Sequence, residues 1–206
     1  MARLEKLSPE VLDEDQWRLY EAIAAGPRAS GRQPFQLVDG AGGLEGPFNA
    51  MLQQPALGWA LQALGAAVRY QGVLPGRVRE LAILVVASHW KSEFEQYAHE
   101  AAGRLLGLRA EDLGAIRAGQ EPELADAGER AAVRVTWALA RSGDLDDGQY
   151  ADAVAQLGTA ALFELTTLVG YYATLALQLR VFRVTVPDVA TTHSEDASQS
   201  GDPAAR

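Results

Sequence analysis

PGRVRELAILVVASHWKSEFEQYAHE, residues 75–100, decides the fold. Pro75 is suited to open a helix, because its missing N–H lies where a helix has no acceptor for it. After Glu80 the run RVRELAILVVASHW is apolar nearly all round. A helix that is apolar on every side is a central helix, covered by neighbours. A buried strand competes for LAILVV alone, but the helical flanks and Pro75 favour the helix. A second helix is expected from Ser92 to about Leu106, closed by Gly107 as its C-cap. Its register Phe94, Tyr97/Ala98, Ala101 and Leu105 is apolar and is expected to face the core.

Working outward, helical spacing recurs almost everywhere and strand alternation almost nowhere. Glu14 to Ala25 sets Trp17, Leu19, Tyr20 and Ile23 at helical intervals. Pro47 to about Gln53 reads as a short helix. Pro55 opens a longer one with Leu57, Leu61, Leu64 and Val68 on one stripe. Helices are expected at Ala110–Ala118, Asp126–Arg141, Asp147–Leu157 and Thr159 to about Phe182, and Pro187 stops the pattern. The fold class is all-α, a multi-helix bundle, with one domain over residues 1–188. Within it, residues 26–46 form a long connection rich in Gly and Pro, which serves either as a functional lid or as a linker. The polar residues 189–206 are expected to be a disordered tail, so His193 is given no role.

The chain has 206 residues and no cysteine. That excludes disulfides, thiolate nucleophiles, Cys-ligated zinc and iron–sulfur clusters together. The net charge of −9 argues against nucleic acid, which needs a concentrated Lys/Arg surface. The stretch Leu162–Leu179 is interrupted by Glu164, Gly170 and Gln178 and reads as a buried helix, not a membrane span. The N-terminal residues contain no apolar run of signal-peptide length, so a cytoplasmic location is expected.

The chemistry concentrates in SEFEQYAHE, residues 92–100. On a helix Ser92, Glu95 and His99 stack along one face, so a hydroxyl, a carboxylate and an imidazole converge. The preceding helix brings Glu80 to the edge of its apolar run, where a carboxylate is costly unless paired. Burial raises a carboxyl pKa toward neutrality and imidazole already titrates there, so these are ingredients for acid–base work. The same spacing also occurs in solvated Glu–His pairs worth only a few tenths of a kcal/mol. His89 and Trp90 are candidates to line the same cavity, or else a capping His and a packed Trp. Glu80, Glu95 and His99, with His89, also offer a mixed carboxylate–imidazole metal set.

Three stretches carry a resemblance: GPFNAMLQQPALG (46–58), RELAILVVASHWKSEFEQYAHEAAGRLLGL (79–108) and GYYATLALQLRVFRVTVP (170–187). Together they resemble the carboxymuconolactone decarboxylase family, related to the alkylhydroperoxidase D-like (AhpD-like) proteins, over about Gly46 to Pro187. In the peroxidase branch a Glu precedes a C-x-x-C pair, and a His follows four residues later. Laid on that pattern, Glu80 and His99 match the Glu and the His, while Ser92 and Glu95 fall on the two cysteine positions. The redox pair is absent and the proton-handling residues remain, as in the decarboxylase-like branch, where a Glu often takes the second cysteine position. The resemblance implies an AhpD-like helical bundle, a homo-oligomer (trimer or hexamer), and no metal or cofactor.

The expected function is a cofactor-independent acid–base enzyme, decarboxylase- or lyase-like, acting on a small carboxylated, lactone or enolisable substrate. His99 is expected to move the proton, Glu95 to orient or polarise, and Glu80 to act as partner to His99. Ser92, His89 and Trp90 are expected at the substrate. The alternative is a non-catalytic helical oligomer that binds a small apolar ligand or a protein. Beside the motif the only cations are Arg77, Arg79 and Lys91. Neither nucleic acid nor a membrane is an expected partner.

Overall fold

The computed structural model describes residues 2–29 and 35–187. Part of the Gly/Pro-rich connection (30–34) and the whole expected tail with His193 lie outside the described residues. Nine α-helices follow in order among the described residues: α1 (Glu14–Ala24), α2 (Pro47–Met51), α3 (Pro55–Tyr70), α4 (Gly76–Trp90), α5 (Glu93–Leu105), α6 (Ala110–Arg117), α7 (Ala127–Ser142), α8 (Asp147–Leu157) and α9 (Thr159–Val181). No strand forms among these residues; extended pairing is limited to one bridge between Val38 and Leu44. The all-α reading holds, and the helix bounds agree with the sequence to within a residue or two.

α4 is central because it serves two cores. Val78, Ala82, Ile83 and Val86 join the large cluster shared with α9. Leu81, Leu84 and Val85 join a second cluster with Leu113 and Ile116 of α6 and Val133 and Trp137 of α7. Each of these buried aliphatic side chains contributes about 1.5–3 kcal/mol relative to exposure. α9 is long and apolar enough to cross a membrane by length and composition, with half of its most apolar window buried. Here it packs against α4, α7, α3 and α8 as a core helix.

α3 departs from its expected orientation. Leu57 (65 % exposed) and Leu64 face outward, and the buried face is Gly58, Gln62, Gly65 and Val68. Its small and polar side therefore faces the interior. Likewise Leu105 on α5 is exposed, while Phe94 and Ala98 pack with Leu179.

Two junctions fix the helices around the site. Only Lys91 and Ser92 separate α4 from α5, and Lys91 takes the left-handed conformation (φ 52°) so that the chain can reverse. Gly107 (φ +81°) closes α5, with Leu108 N–H donating to Gly103 O at 2.9 Å. Ahead of α4, Glu164 of α9 accepts backbone N–H bonds from Val73 and Leu74. Gly72 permits this, since a Cβ there would lie 2.0 Å from the Glu164 carboxylate.

The connection before α2 is tied down where it is described. Asp39 Oδ1 accepts from Ala41 and Gly43 N–H at 2.9 Å, and Tyr20 donates to Gly42 O at 2.9 Å. Lys6 bridges Asp39 and Glu45.

Candidate active site

Glu80, on the second turn of α4, is 2 % exposed. Its Oε2 lies 2.6 Å from His99 Nδ1 on α5, and Arg69 Nη2 of α3 donates to its Oε1 at 3.4 Å. Burial alone would raise this carboxyl. The charge and hydrogen bond of His99, with the charges of Arg69 and Arg79, outweigh it and hold Glu80 below its ordinary value. Glu80 is therefore ionised, Nδ1–H of His99 donates to it, and Nε2 is the nitrogen left for other work. The His99 ring stands edge-on to Tyr172, with centroids 5.2 Å apart.

Glu95 is the opposite case. It is 3 % exposed, and neither carboxylate oxygen has a hydrogen-bond partner. Ser92, at the N-cap of α5, is equally buried, and its Oγ is also unpartnered. S-x-x-E at a helix start is the pattern of a capping box, yet neither capping bond forms. Burial pushes the Glu95 carboxyl well above its ordinary range, opposed only weakly by the neighbouring Ser92 hydroxyl, which falls short of hydrogen-bond geometry. Two carboxyl groups from adjacent helices are thus driven in opposite directions, Glu80 below and Glu95 above the ordinary carboxyl value. Carboxyl groups separated in this way are chemically suited to acid–base work.

Glu95 and His99 open onto one cavity of about 80 Å³. α9 supplies Tyr171, Tyr172 and Leu175 to its wall, and α2 supplies Pro47 and Phe48. The Gly/Pro-rich connection contributes Arg28, Phe35 and Leu37, so its described parts build the site wall. Phe35 meets Phe94 edge-on, with centroids 5.4 Å apart. Burial raises both tyrosine hydroxyls, which therefore stay neutral donors.

Of the residues singled out from sequence, Glu95 and His99 share the cavity, Glu80 joins through His99, and Ser92 sits buried beside Glu95. His89 and Trp90 do not line this cavity. They pair edge-on with each other at 5.6 Å, and the Trp90 carbonyl accepts from Arg180. The α4–α5 reversal turns the end of α4 toward α9's C-terminal end. Among the described residues no three His, Asp or Glu side chains come together as a metal-holding group.

Sequence reasoning missed the cations. Arg77 pairs with Glu129 and Lys91 is exposed. Arg79 stays close enough to Glu80 to lower its pKa, but neither it nor the other two lines the cavity. Among the described residues the cavity's guanidinium groups are Arg28 and Arg69, from elements far from the motif. The one signal in the sequence was on α3: Gly58, Gln62, Gly65 and Arg69 recur at helical spacing and form a face too small and polar for ordinary core.

These features define a fold class, an AhpD-like all-α bundle, in a chain that has no cysteine. Residues 55–138 match the model of the carboxymuconolactone decarboxylase family. The fold is similar to the alkylhydroperoxidase AhpD core of an uncharacterized peroxidase-related protein from Ralstonia eutropha JMP134 (12 % identity, TM-score 0.71, 91 % of this chain and 93 % of that one). It is also similar to a protein of unknown function from Agrobacterium tumefaciens (22 %, 0.58, 68 % and 96 %). A third similar structure is the debrominase Bmp8 in complex with 2,3,4-tribromopyrrole (11 %, 0.68, 91 % and 95 %). No curated protein matches the chain.

Proposed function

We propose that the protein is a cofactor-independent acid–base enzyme, decarboxylase- or lyase-like, acting on a small carboxylated, lactone or enolisable molecule. The observation that carries this reading is the pairing, on one cavity, of an unpartnered buried Glu95 carboxyl with a His99 imidazole polarised by Glu80. Nε2 of His99 takes a proton from the carbon next to a carbonyl. The electron pair moves onto the carbonyl oxygen, which receives the Glu95 proton. Glu80 stabilises the imidazolium that forms. Returning the imidazolium proton to carbon and the enol proton to Glu95 completes the cycle. Where CO₂ is the leaving group, its C–C bond supplies the electron pair, Glu95 protonates the enolate oxygen, His99 carries that enol proton to the carbon left behind, and Glu95 is reprotonated from water.

The match of residues 55–138 to the carboxymuconolactone decarboxylase family model supports an enzymatic role. The aromatic wall suits a compact flat molecule, in keeping with the small halogenated ring that Bmp8 holds in the same fold. A homo-oligomer, trimer or hexamer, in the cytoplasm is the setting we assign. Large apolar side chains left exposed on α3 and α9 (Leu57, Leu64, Phe163, Leu177) support the association, and light scattering on the purified protein tests it.

The activity test is solvent deuterium exchange into a panel of keto acids and lactones, with CO₂ release followed in parallel. Native protein is expected to catalyse one of these, and His99→Ala is not. Equal rates for the two proteins would remove the reading.

A further inference from the structure

The wall of the cavity carries one guanidinium charge, that of Arg28, that the acid–base residues do not use. Arg28 and Arg69 both line it, and Glu80 is the one ionised carboxylate bonded to either among the described residues. No carboxylate among these residues lies in salt-bridge range of Arg28. Its Nε donates to the neutral Gln62 amide at 2.9 Å, and its guanidinium rests 5.2 Å from the Phe48 ring centre. Gly65 makes this arrangement possible. A Cβ at that position would lie 2.2 Å from Tyr171 Oη and 2.7 Å from Arg28 Nη2, so the bare Cα lets hydroxyl and guanidinium converge at one end of the cavity. Arg69 is met by Glu80, whereas Arg28 meets no carboxylate among the described residues, so its positive charge is left for a ligand. A partly desolvated charge without a counter-ion is costly, and a ligand anion removes that cost.

We infer that the site takes a flat monoanion, an aromatic or conjugated carboxylate, with its carboxylate held by Arg28 and the Tyr171 hydroxyl and its ring among Phe35, Phe48 and Phe94. This inference rests on the acid–base reading and narrows it. The guanidinium fork matches a carboxylate, and the aromatic edges and faces match a planar ring. A carboxylate held in this way is stabilised as an anion and is a poor source of CO₂. It is retained, and the proton transfers at His99 and Glu95 fall on a second group of the ligand, an enolisable carbonyl. Arg28 is the one guanidinium among the described lining residues with no carboxylate beside it, so a second carboxylate on the ligand finds no cation to meet it and dicarboxylates bind more weakly.

Calorimetric titration of the full chain with benzoate, benzamide and phthalate tests this without requiring turnover. Benzoate is expected to bind at least tenfold more tightly than either of the others. Arg28→Gln should weaken benzoate at least tenfold and leave benzamide unchanged. Benzamide binding as well as benzoate, or phthalate binding more tightly, overturns the inference. Arg28→Gln indistinguishable from native does the same. If that variant fails to melt cooperatively, the native benzoate–benzamide comparison and Arg28→Lys, which keeps the charge but loses the fork, decide between the outcomes. A protein that binds benzoate through Arg28 yet never exchanges a carbon-bound proton keeps this ligand class and ends the acid–base reading, so the two failures are distinguishable.

Discussion

Nδ1 of His99 and Oε2 of Glu80 lie 2.6 Å apart across the α4–α5 interface, with Arg69 on the other oxygen of the same carboxylate. This contact fixes the imidazole's orientation and leaves Nε2 as the working atom. Removing the ring should lower any proton-transfer rate by about 10²–10⁴-fold. His99→Ala, compared with native protein by deuterium exchange, is the measurement, with folding checked by circular dichroism.

Glu80→Gln takes the negative charge away from Arg69, Arg79 and His99 together. The loss of stability is expected to be about 1–3 kcal/mol in urea denaturation. The pH dependence has a definite sign. The folded pKa of Glu80 lies below its ordinary 4.5, so its stabilisation is complete above pH 4.5 and disappears as the pH falls through the lowered value. The Gln variant should therefore differ most from native near neutral pH and converge with it in acid.

Glu95 predicts the reverse slope. Its folded pKa lies well above 4.5, so the folded protein keeps a proton that the unfolded chain has released. Stability then declines as pH rises from 4.5 through the raised value. Glu95→Gln should remove that decline, be more stable than native at pH 8, and lose activity, as expected of a site that trades stability for chemistry. Denaturation series at several pH values, with activity alongside, check both halves.

Gly65→Ala would ordinarily help a helix by about 1 kcal/mol. Here the methyl group would meet Tyr171 and Arg28, and we expect a net loss of about 1–3 kcal/mol. Weakened benzoate binding should accompany it. A rise in melting temperature would mean that the α3–α9 contact gives way easily to a methyl group.

Lys91 holds a left-handed conformation that costs an L-residue about 1–2 kcal/mol. Lys91→Gly relieves it and should raise stability by about 0.5–1 kcal/mol, partly offset by the greater freedom of the unfolded chain. Because Lys91 is exposed and off the cavity, thermal melting should shift without a change in catalytic rate.

The bundle was legible because its signals are local. α8 begins at Asp147 and ends at Leu157 as the periodicity reads, and Gly107 closes α5 where expected. The Glu95–His99 pair was legible for the same reason, since one helical turn brings the two side chains to one face. What failed depended on direction. Leu57, Leu61 and Leu64 do share a stripe, but periodicity reports which residues share a face and is silent on which face turns inward. Leu57 and Leu64 turn outward, Leu61 packs against the core, and Arg69 on the neighbouring face reaches the cavity. Arg28 was illegible because it reaches the site through tertiary contact alone. His89 and Trp90 were misplaced because the two-residue reversal at Lys91 carries the end of α4 away from the cavity.

The Glu164 carboxylate, which caps the backbone at Val73 and Leu74 from ninety residues downstream, bears on the order of assembly. α9 supplies that clasp and also Tyr171 and Tyr172. The motif residues on α4 and α5 are synthesised early, yet they face an unfinished chamber until the last helix docks. A ribosome-bound chain that stops short of α9 should carry every acid and base of the site and have no activity.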